Sequence, residues 1–396
     1  MANTNRLLIG TSGWSYAEWV AVFYPTSTES KLGFYSKIFP TVEIDSTFYA
    51  FPKEGMVIGW DRYSPRNFVF NAKLPQTITH ELLEALGKPI EEELDKFANL
   101  MLPLNNSGKL GCLLIQLPPK YKYDSEHLEQ FISLLPHGFK YAIEFRHKSW
   151  LRGETWRILS KYNVAYTVVD EPLLPPEVHV TADFAYIRWH GRGQRPWYDY
   201  HYTEKELADW LPKVKEVEGS VKTTYGYFNN HFHGYAVENA LSILKMLDKL
   251  TPGQEEALKR ARTHLKQAKE KPVGLGEFTR GGEDRAKLVD LLGEVMGETR
   301  LARSFTIPDE DVKIKEASLK TIDAKIRDYT LKMEMVSKTI VHDCGDWERA
   351  IETRQLCKHI GRVLLTIPEQ VALAWVSAIH ENLETWKFQQ PKKSGS

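Results

Sequence analysis

Eight short runs rich in β-branched and aromatic residues recur through the first 250 positions, each followed by a helical or loop-like stretch, at intervals of roughly 25–35 residues. They are Leu7–Gly13, Thr41–Thr47, Asn67–Leu74, Lys109–Leu117, Lys140–His147, Asn163–Asp170, Asp183–Gly191 and Lys222–Asn230. Helix signals fill the intervals. Asp124-Ser125 precedes the apolar-periodic Leu128, Phe131, Ile132 and Leu135, and Thr203 stands three residues before Glu206 as a capping box. Eightfold strand–helix alternation predicts an α/β fold, a closed parallel (β/α)8 barrel of the TIM type over residues 1–250.

Alternate residues of a strand face opposite sides, so the polar residues near each strand's end can be sorted by parity. Glu43, Asp45 and Thr47 alternate with Val42 and Ile44; Asn71 and Lys73 with Phe70 and Ala72; Glu144 and Arg146 with Ile143 and Phe145; Arg188 and His190 with Ile187 and Trp189. Gln116, Asp170 and Asn229 are added from strands four, six and eight. Apolar faces outward and this polar set inward at the barrel mouth is the consistent solution, and such barrels carry their active sites there. The set reads either as an active site or as a self-satisfied buried ion-pair network.

Each candidate has two readings. Lys73 is an amine nucleophile for Schiff-base chemistry, or a salt-bridge partner of Glu43 or Glu144. Glu144 and Asp170 are two carboxylates able to divide acid and base roles. Arg146, Arg188 and His190 suit a phosphate or carboxylate, although a histidine such as His190 alone is more often a hydrogen-bonded core residue. Trp14, Tyr16, Phe48, Tyr49, Trp189 and Tyr227 are wall residues for a flipped-out nucleotide, or plain packing. His147, His190, His231 and His233 have no spacing that commits them to a metal, so a barrel metal is a disfavoured alternative.

Several motifs carry a resemblance. Gly10–Tyr16 (Gly-Thr-Ser-Gly-Trp-Ser-Tyr), Val42–Tyr49, Lys73 with Ile78–His80, Gln116–Pro119, Glu144–His147, Arg188–Gly191 and Phe228–Asn230 resemble the YecE-like family, in order over nearly all of residues 7–245. The resemblance implies a TIM-type barrel, and the family's likeness to the endonuclease IV barrel implies nucleic acid by analogy. Asp45 departs from the family's asparagine and adds a negative charge to the mouth.

After Lys249 the strand signal stops. Thr251-Pro252-Gly253 reads as a boundary before a Gln254–Lys271 helix, which with Gly274, Gly276, Gly281 and Gly282 makes a connector over 251–300. The run Lys259–Lys271 is a phosphate-contacting face or an ordinary solvated helix. In the region 301–396, expected to be smaller and mostly helical, His342 and Cys344 are followed after twelve residues by Cys357 and His359. Two thiolates and two imidazoles suit tetrahedral structural zinc. The segment resembles a SWIM-type zinc finger over about 337–368, with His342 in place of that family's cysteine, and the resemblance implies DNA or protein binding. Pro368 then opens a helix whose Val371, Trp375, Ile379, Leu383 and Trp386 form an apolar stripe.

Three cysteines make no disulfide framework, and neither a signal peptide nor a membrane-length apolar run is present, so a cytoplasmic protein without membrane contact is expected. With 52 basic and 52 acidic residues, any nucleic-acid site must be local. The expected function is a nucleic-acid-processing enzyme of the DNA-repair kind, a damaged-base glycosylase, abasic-site lyase or endonuclease, with DNA as partner and the zinc module holding it. A sugar or sugar-phosphate isomerase or lyase, and a non-catalytic nucleic-acid-binding protein, are the alternatives.

Overall fold

The computed structural model describes residues 6–83, 86–193, 197–270 and 283–391. Eight parallel strands form one sheet: β1 (Arg6–Thr11), β2 (Thr41–Ile44), β3 (Val69–Lys73), β4 (Leu110–Gln116), β5 (Tyr141–Glu144), β6 (Ala165–Asp170), β7 (Phe184–Trp189) and β8 (Thr223–Phe228). Each pairs with its sequence neighbour from β2 to β8, β8 pairs with β1, and a single parallel bridge between Ser12 and Glu43 spans the β1–β2 seam. All eight runs are therefore strands of a nearly closed barrel, and each strand ends inside its predicted bounds.

Parity arranges the interior in tiers. Leu8, Val69, Cys112, Leu114, Ala142, Ala165, Phe184, Tyr186, Tyr225 and Tyr227 pack together inside the barrel. The opposite parities, among them Ile9, Phe70, Ile115, Ile143, Val168 and Ile187, join the larger core under the helices. Gly111 is required in the inner tier: a Cβ there would lie 2.1 Å from Asn71 Oδ1. That oxygen accepts from Cys112 N at 2.6 Å, while Asn71 Nδ2 donates to Tyr227 OH at 2.7 Å, so Asn71 is a satisfied structural group below the mouth.

The helix Pro252–Glu270 does not stand apart as a connector. Gln254 Nε2 donates to Ile38 O, Arg260 to Phe23 O, and Arg262 pairs with Glu238 and Glu204, so the residues up to 270 form one compact unit. Two of the basic run's arginines are thereby tied to the barrel rather than offered to phosphate. Lys271 and the connector glycines lie outside the described residues.

Residues from 283 belong to a second compact unit. Its helices are Glu283–Met296, Glu298–Phe305, Trp347–Thr353, Lys358–Thr366 and Glu369–Glu381. Strands do not stop after Lys249, however. β9 (Val312–Ala317), β10 (Thr321–Ile326), β11 (Tyr329–Glu334), β12 (Thr339–His342) and β13 (Lys387–Gln389) form a mixed sheet in the order β13-β12-β11-β10-β9. Trp347, Trp375 and Trp386 are fully buried in this unit's own core.

Candidate functional site

The floor of the barrel mouth is a buried ion ladder. Arg188, on the inward parity of β7, donates from Nη2 to Glu43 at 2.7 Å and from Nη1 to Glu144 at 2.6 Å, and all three side chains are fully buried. Glu43 also accepts from Ser12 Oγ at 2.6 Å and Tyr186 OH at 2.7 Å. Burial alone would weaken the Arg188 proton, but Glu144 and Glu43 hold it more tightly than usual. Glu144 resists burial in the opposite sense: Arg146 and Arg188 hold its carboxyl well below the ordinary range.

Above the floor, Arg146 reaches Glu144 through Nε at 2.6 Å and Glu171 through Nη1 at 2.6 Å. Its Nη2 has longer approaches of 3.4 Å to Gln116 Oε1 and to His190 Nε2. His190 Nε2 also lies 3.3 Å from Arg188 Nη1, and its Nδ1 lies 3.0 Å from the Asn229 amide. The Asn229 Nδ2 amide donates to Nδ1, which leaves the single proton of the neutral ring to Nε2, 3.4 Å from Glu144 Oε2. Burial, reinforced by Arg188, pushes His190 down to about 3, so it is a neutral imidazole here. His80, which the sequence reading quoted only within a motif, is pushed down to about 4 by burial and by Lys73 and Arg146.

Lys73 donates to Asp45 at 2.6 Å and sits 5.1 Å above the Phe48 ring. Its partner is therefore the residue that departs from the family pattern, neither Glu43 nor Glu144. Burial raises the Asp45 carboxyl, but Lys73, with Arg188 and His231, holds it below the ordinary range. Tyr49 is exposed at the rim, edge-on to Phe48. Trp14 is not a wall of this hollow. Its ring meets Trp60 and Phe70, and Phe70 lies on the helix-facing parity of β3.

Asp170 is the main correction. On β6 the inward parity runs Ala165, Thr167, Val169, and Asp170 points to the helix layer with Tyr166 and Val168. Its oxygens accept from Arg192 at 2.8 and 3.0 Å and from Trp210 Nε1 at 2.7 Å. The second carboxylate of the mouth is the next residue, Glu171, which the sequence reading did not single out. Glu171 is buried, its Oε2 is held by Arg146, and its Oε1 has no hydrogen-bond partner. Burial raises its carboxyl above the ordinary value, opposed by Arg146 and assisted by Glu144. Asp170→Ala should cost about 1–3 kcal/mol by leaving the Trp210 N–H unsatisfied, read from urea unfolding, and should leave the pH profile of any activity in place. A displaced profile would return Asp170 to the mouth.

A cavity of about 480 Å³ lies elsewhere, lined by His201, Glu238, Ser242 and Arg262 among others. Both Glu238 oxygens are bonded, to Ser242 and Arg262 on one side and to His201 and Asn239 on the other, so the group braces helices rather than awaiting a ligand.

The motifs gathered at this mouth are those of a known family, whose model, described as a protein of unknown function, DUF72, matches residues 8–263. The chain belongs to the DUF72 family. It is 29% identical to the UPF0759 protein YunF of Bacillus subtilis over 61% of this chain and 95% of that one, and 31% identical to the UPF0759 protein YecE of Escherichia coli over 39% and 54%. A crystal structure of a DUF72 family protein from Thermotoga maritima is similar with a TM-score of 0.57 and 35% identity, covering 61% of this chain and 99% of that one. One from Enterococcus faecalis gives 0.53 and 27%, covering 62% and 98%. These likenesses account for the barrel.

The second unit lies beyond the DUF72 match and carries a separate cluster. His342 ends β12, Cys344 follows it, and Cys357 and His359 stand at the start of the Lys358–Thr366 helix. All four are buried, and their ligand atoms lie within 4.8 Å of one another. The two sulfurs are 3.7 Å apart, close to the edge of a tetrahedron built on Zn–S bonds of about 2.3 Å. His342 Nδ1 donates to Thr330 O at 2.6 Å, which leaves the Nε2 lone pair free, and His342 Nε2 and His359 Nδ1 are buried without a partner. Two orphaned imidazole nitrogens aimed at two thiols fit a closed four-ligand metal site. Among the described residues it is the only such group of three or more His, Cys, Asp or Glu. No described helix is long and apolar enough to cross a membrane.

Proposed function

We propose that this DUF72 chain is an enzyme that moves protons on a hydroxylated small molecule, in the class of sugar or sugar-phosphate isomerases and lyases, at the barrel mouth. The observation that carries this reading is a divided pair of carboxylates. Glu144 and Glu171 share Arg146, yet one is held well below the ordinary carboxyl range and the other is raised above it. Opposed environments of this kind assign roles: Glu171 is the group that gives and takes the proton, and Glu144 stays ionised to hold Arg146 and Arg188 in place. Neutral His190, Asn229 and Gln116 supply polar contacts that cannot compete for the proton.

The DNA-repair reading finds less support. A Schiff base needs a free amine lone pair on Lys73, whereas its ammonium is engaged by Asp45 at 2.6 Å. A phosphodiester backbone calls for several free cations at once, whereas Lys73 and Arg188 each face a carboxylate within 2.7 Å and Arg146 alone keeps a partly used edge. In the second unit, structural zinc on His342, Cys344, Cys357 and His359 is our reading of the metal cluster; when bound, it would tie β12 to the Lys358–Thr366 helix and do no chemistry.

The test is solvent exchange. A panel of aldoses, ketoses and their phosphates incubated with the protein in D2O should yield at least one sugar whose C–H exchanges, followed by proton NMR. Glu171→Gln should slow that exchange by about 10²–10⁴-fold. No exchange across the panel, or a variant as fast as the parent, would overturn the assignment.

A further inference from the structure

The terminal edge of an arginine presents two parallel N–H donors that match a two-oxygen anion. At Arg146 that edge is half used. Glu171 takes Nη1 with Oε2 alone, while its own Oε1 has no partner. The other donor, Nη2, has only the 3.4 Å approaches to Gln116 Oε1 and His190 Nε2, both on neutral side chains. Arg146 is also the most reachable member of this cluster: its side chain is 12% exposed, whereas those of Glu144, Glu171 and Arg188 are fully buried. A guanidinium anchored to Glu144 through Nε, poorly matched at its outer edge and on a side chain that solvent partly reaches, can exchange one anion for another.

We propose that the outer edge of Arg146 is the docking point for a carboxylate or phosphate group of the substrate, and that Glu171 yields this edge by taking up a proton. The inference rests on the acid–base reading of Glu171 and deepens it by naming what the substrate must carry. Charge balance requires the proton. The groups facing Glu171 are Arg146 and Glu144 from the end of β5, Arg188 from β7, and its chain neighbour Asp170, with Tyr166 of β6 nearby. Glu144 and Glu43 already neutralise Arg188, so a second anion on Arg146 leaves an ionised Glu171 buried beside Glu144 with no cation of its own. Protonated Glu171 avoids this; it enters the reaction as the acid, gives that proton to a substrate oxygen, and as carboxylate then takes the C–H proton whose exchange is followed.

The test is isothermal titration with acetate and, separately, with sulfate, which stands in for a phosphate ester without titrating itself, across roughly pH 5 to 8 in two buffers of different ionisation enthalpy. Expected is the uptake of nearly one proton per anion at the upper end, with affinity falling about tenfold per pH unit there. Glu171→Gln should bind with no proton uptake, and Arg146→Met should lose binding. Binding of acetate alone assigns a carboxylate, and of sulfate alone a phosphate. Failure of both anions to bind, or uptake near zero in the native protein, overturns the proposal. Deuterium exchange without anion binding sinks this inference alone. Anion binding with Glu171-dependent proton uptake, but without exchange on any sugar, upholds it and sinks the catalytic reading instead.

Discussion

Replacing Arg188 with methionine should destabilise the barrel by about 3–5 kcal/mol, because it leaves two buried carboxylates facing each other without the cation that joins them. Glu43 and Glu144 lie on opposite sides of this guanidinium, at 2.7 and 2.6 Å, and none of the three reaches solvent. The sign of the pH dependence follows. In the native protein the Glu144 carboxyl is held below its unfolded value, so its contribution is complete above about pH 4.3 and is lost as the pH falls through the folded value. In Arg188→Met part of that stabilisation is gone and only Arg146 still faces Glu144, so the deficit against the parent should be largest near neutrality and should shrink in acid as Glu144 protonates. Urea unfolding at a series of pH values measures this. Combining Arg188→Met with Glu43→Gln and Glu144→Gln should recover part of the loss, since removing all the charges together is far less costly than removing one. A single variant as stable as the parent, or a deficit that does not change with pH, would show that the ladder contributes nothing to folding.

Removing the metal should unfold the second unit and leave the barrel standing. The cluster ties β12 to the Lys358–Thr366 helix across Trp347, and structural zinc sites of this donor set contribute on the order of 10 kcal/mol to folding. Purified protein is expected to carry one zinc per chain by elemental analysis. Strong chelation, or Cys357→Ser, should abolish amide protection in β10 to β12 and the near-ultraviolet signal of Trp347, Trp375 and Trp386, while protection in β1 to β8 persists. A metal-free protein with both units protected would remove the zinc assignment, and collapse of both units on chelation would overturn their independence.

Much of this was readable from the chain, for identifiable reasons. The eight barrel strands are legible because strands buried on both faces are apolar over several consecutive residues and each is followed by helix punctuation. The polar mouth was legible wherever apolar and polar residues alternate without ambiguity, as in Arg188 and His190 against Ile187 and Trp189. It failed at Asp170-Glu171, where two acidic neighbours sit at a strand end and either could belong to the mouth. Counting from the inward Thr167 and Val169 selects Glu171. The second sheet escaped because its strands are dominated by charge: in Thr321–Ile326 only Ile322, Ala324 and Ile326 are buried, and β9 is almost wholly exposed. Alternation was present, but Thr339-Ile340-Val341 is the longest unbroken β-branched run in these strands, and it is three residues long. The partner of Lys73 and the half-used edge of Arg146 depend on distances that no spacing encodes.

Asp170 and Glu171 are separated by one peptide bond and serve opposite sides of the barrel wall, one bolted to an arginine and an indole, the other idle on one oxygen. A single-residue insertion within Ala165–Asp170 would carry Asp170 into the place over Arg146, and a single-residue deletion would drive Glu171 into the place against Trp210. The chain length of this one strand, more than the identity of any acid upon it, therefore dictates which carboxylate is free to work, and descendants of this gene should tolerate deletions in their surface turns long before they tolerate one here.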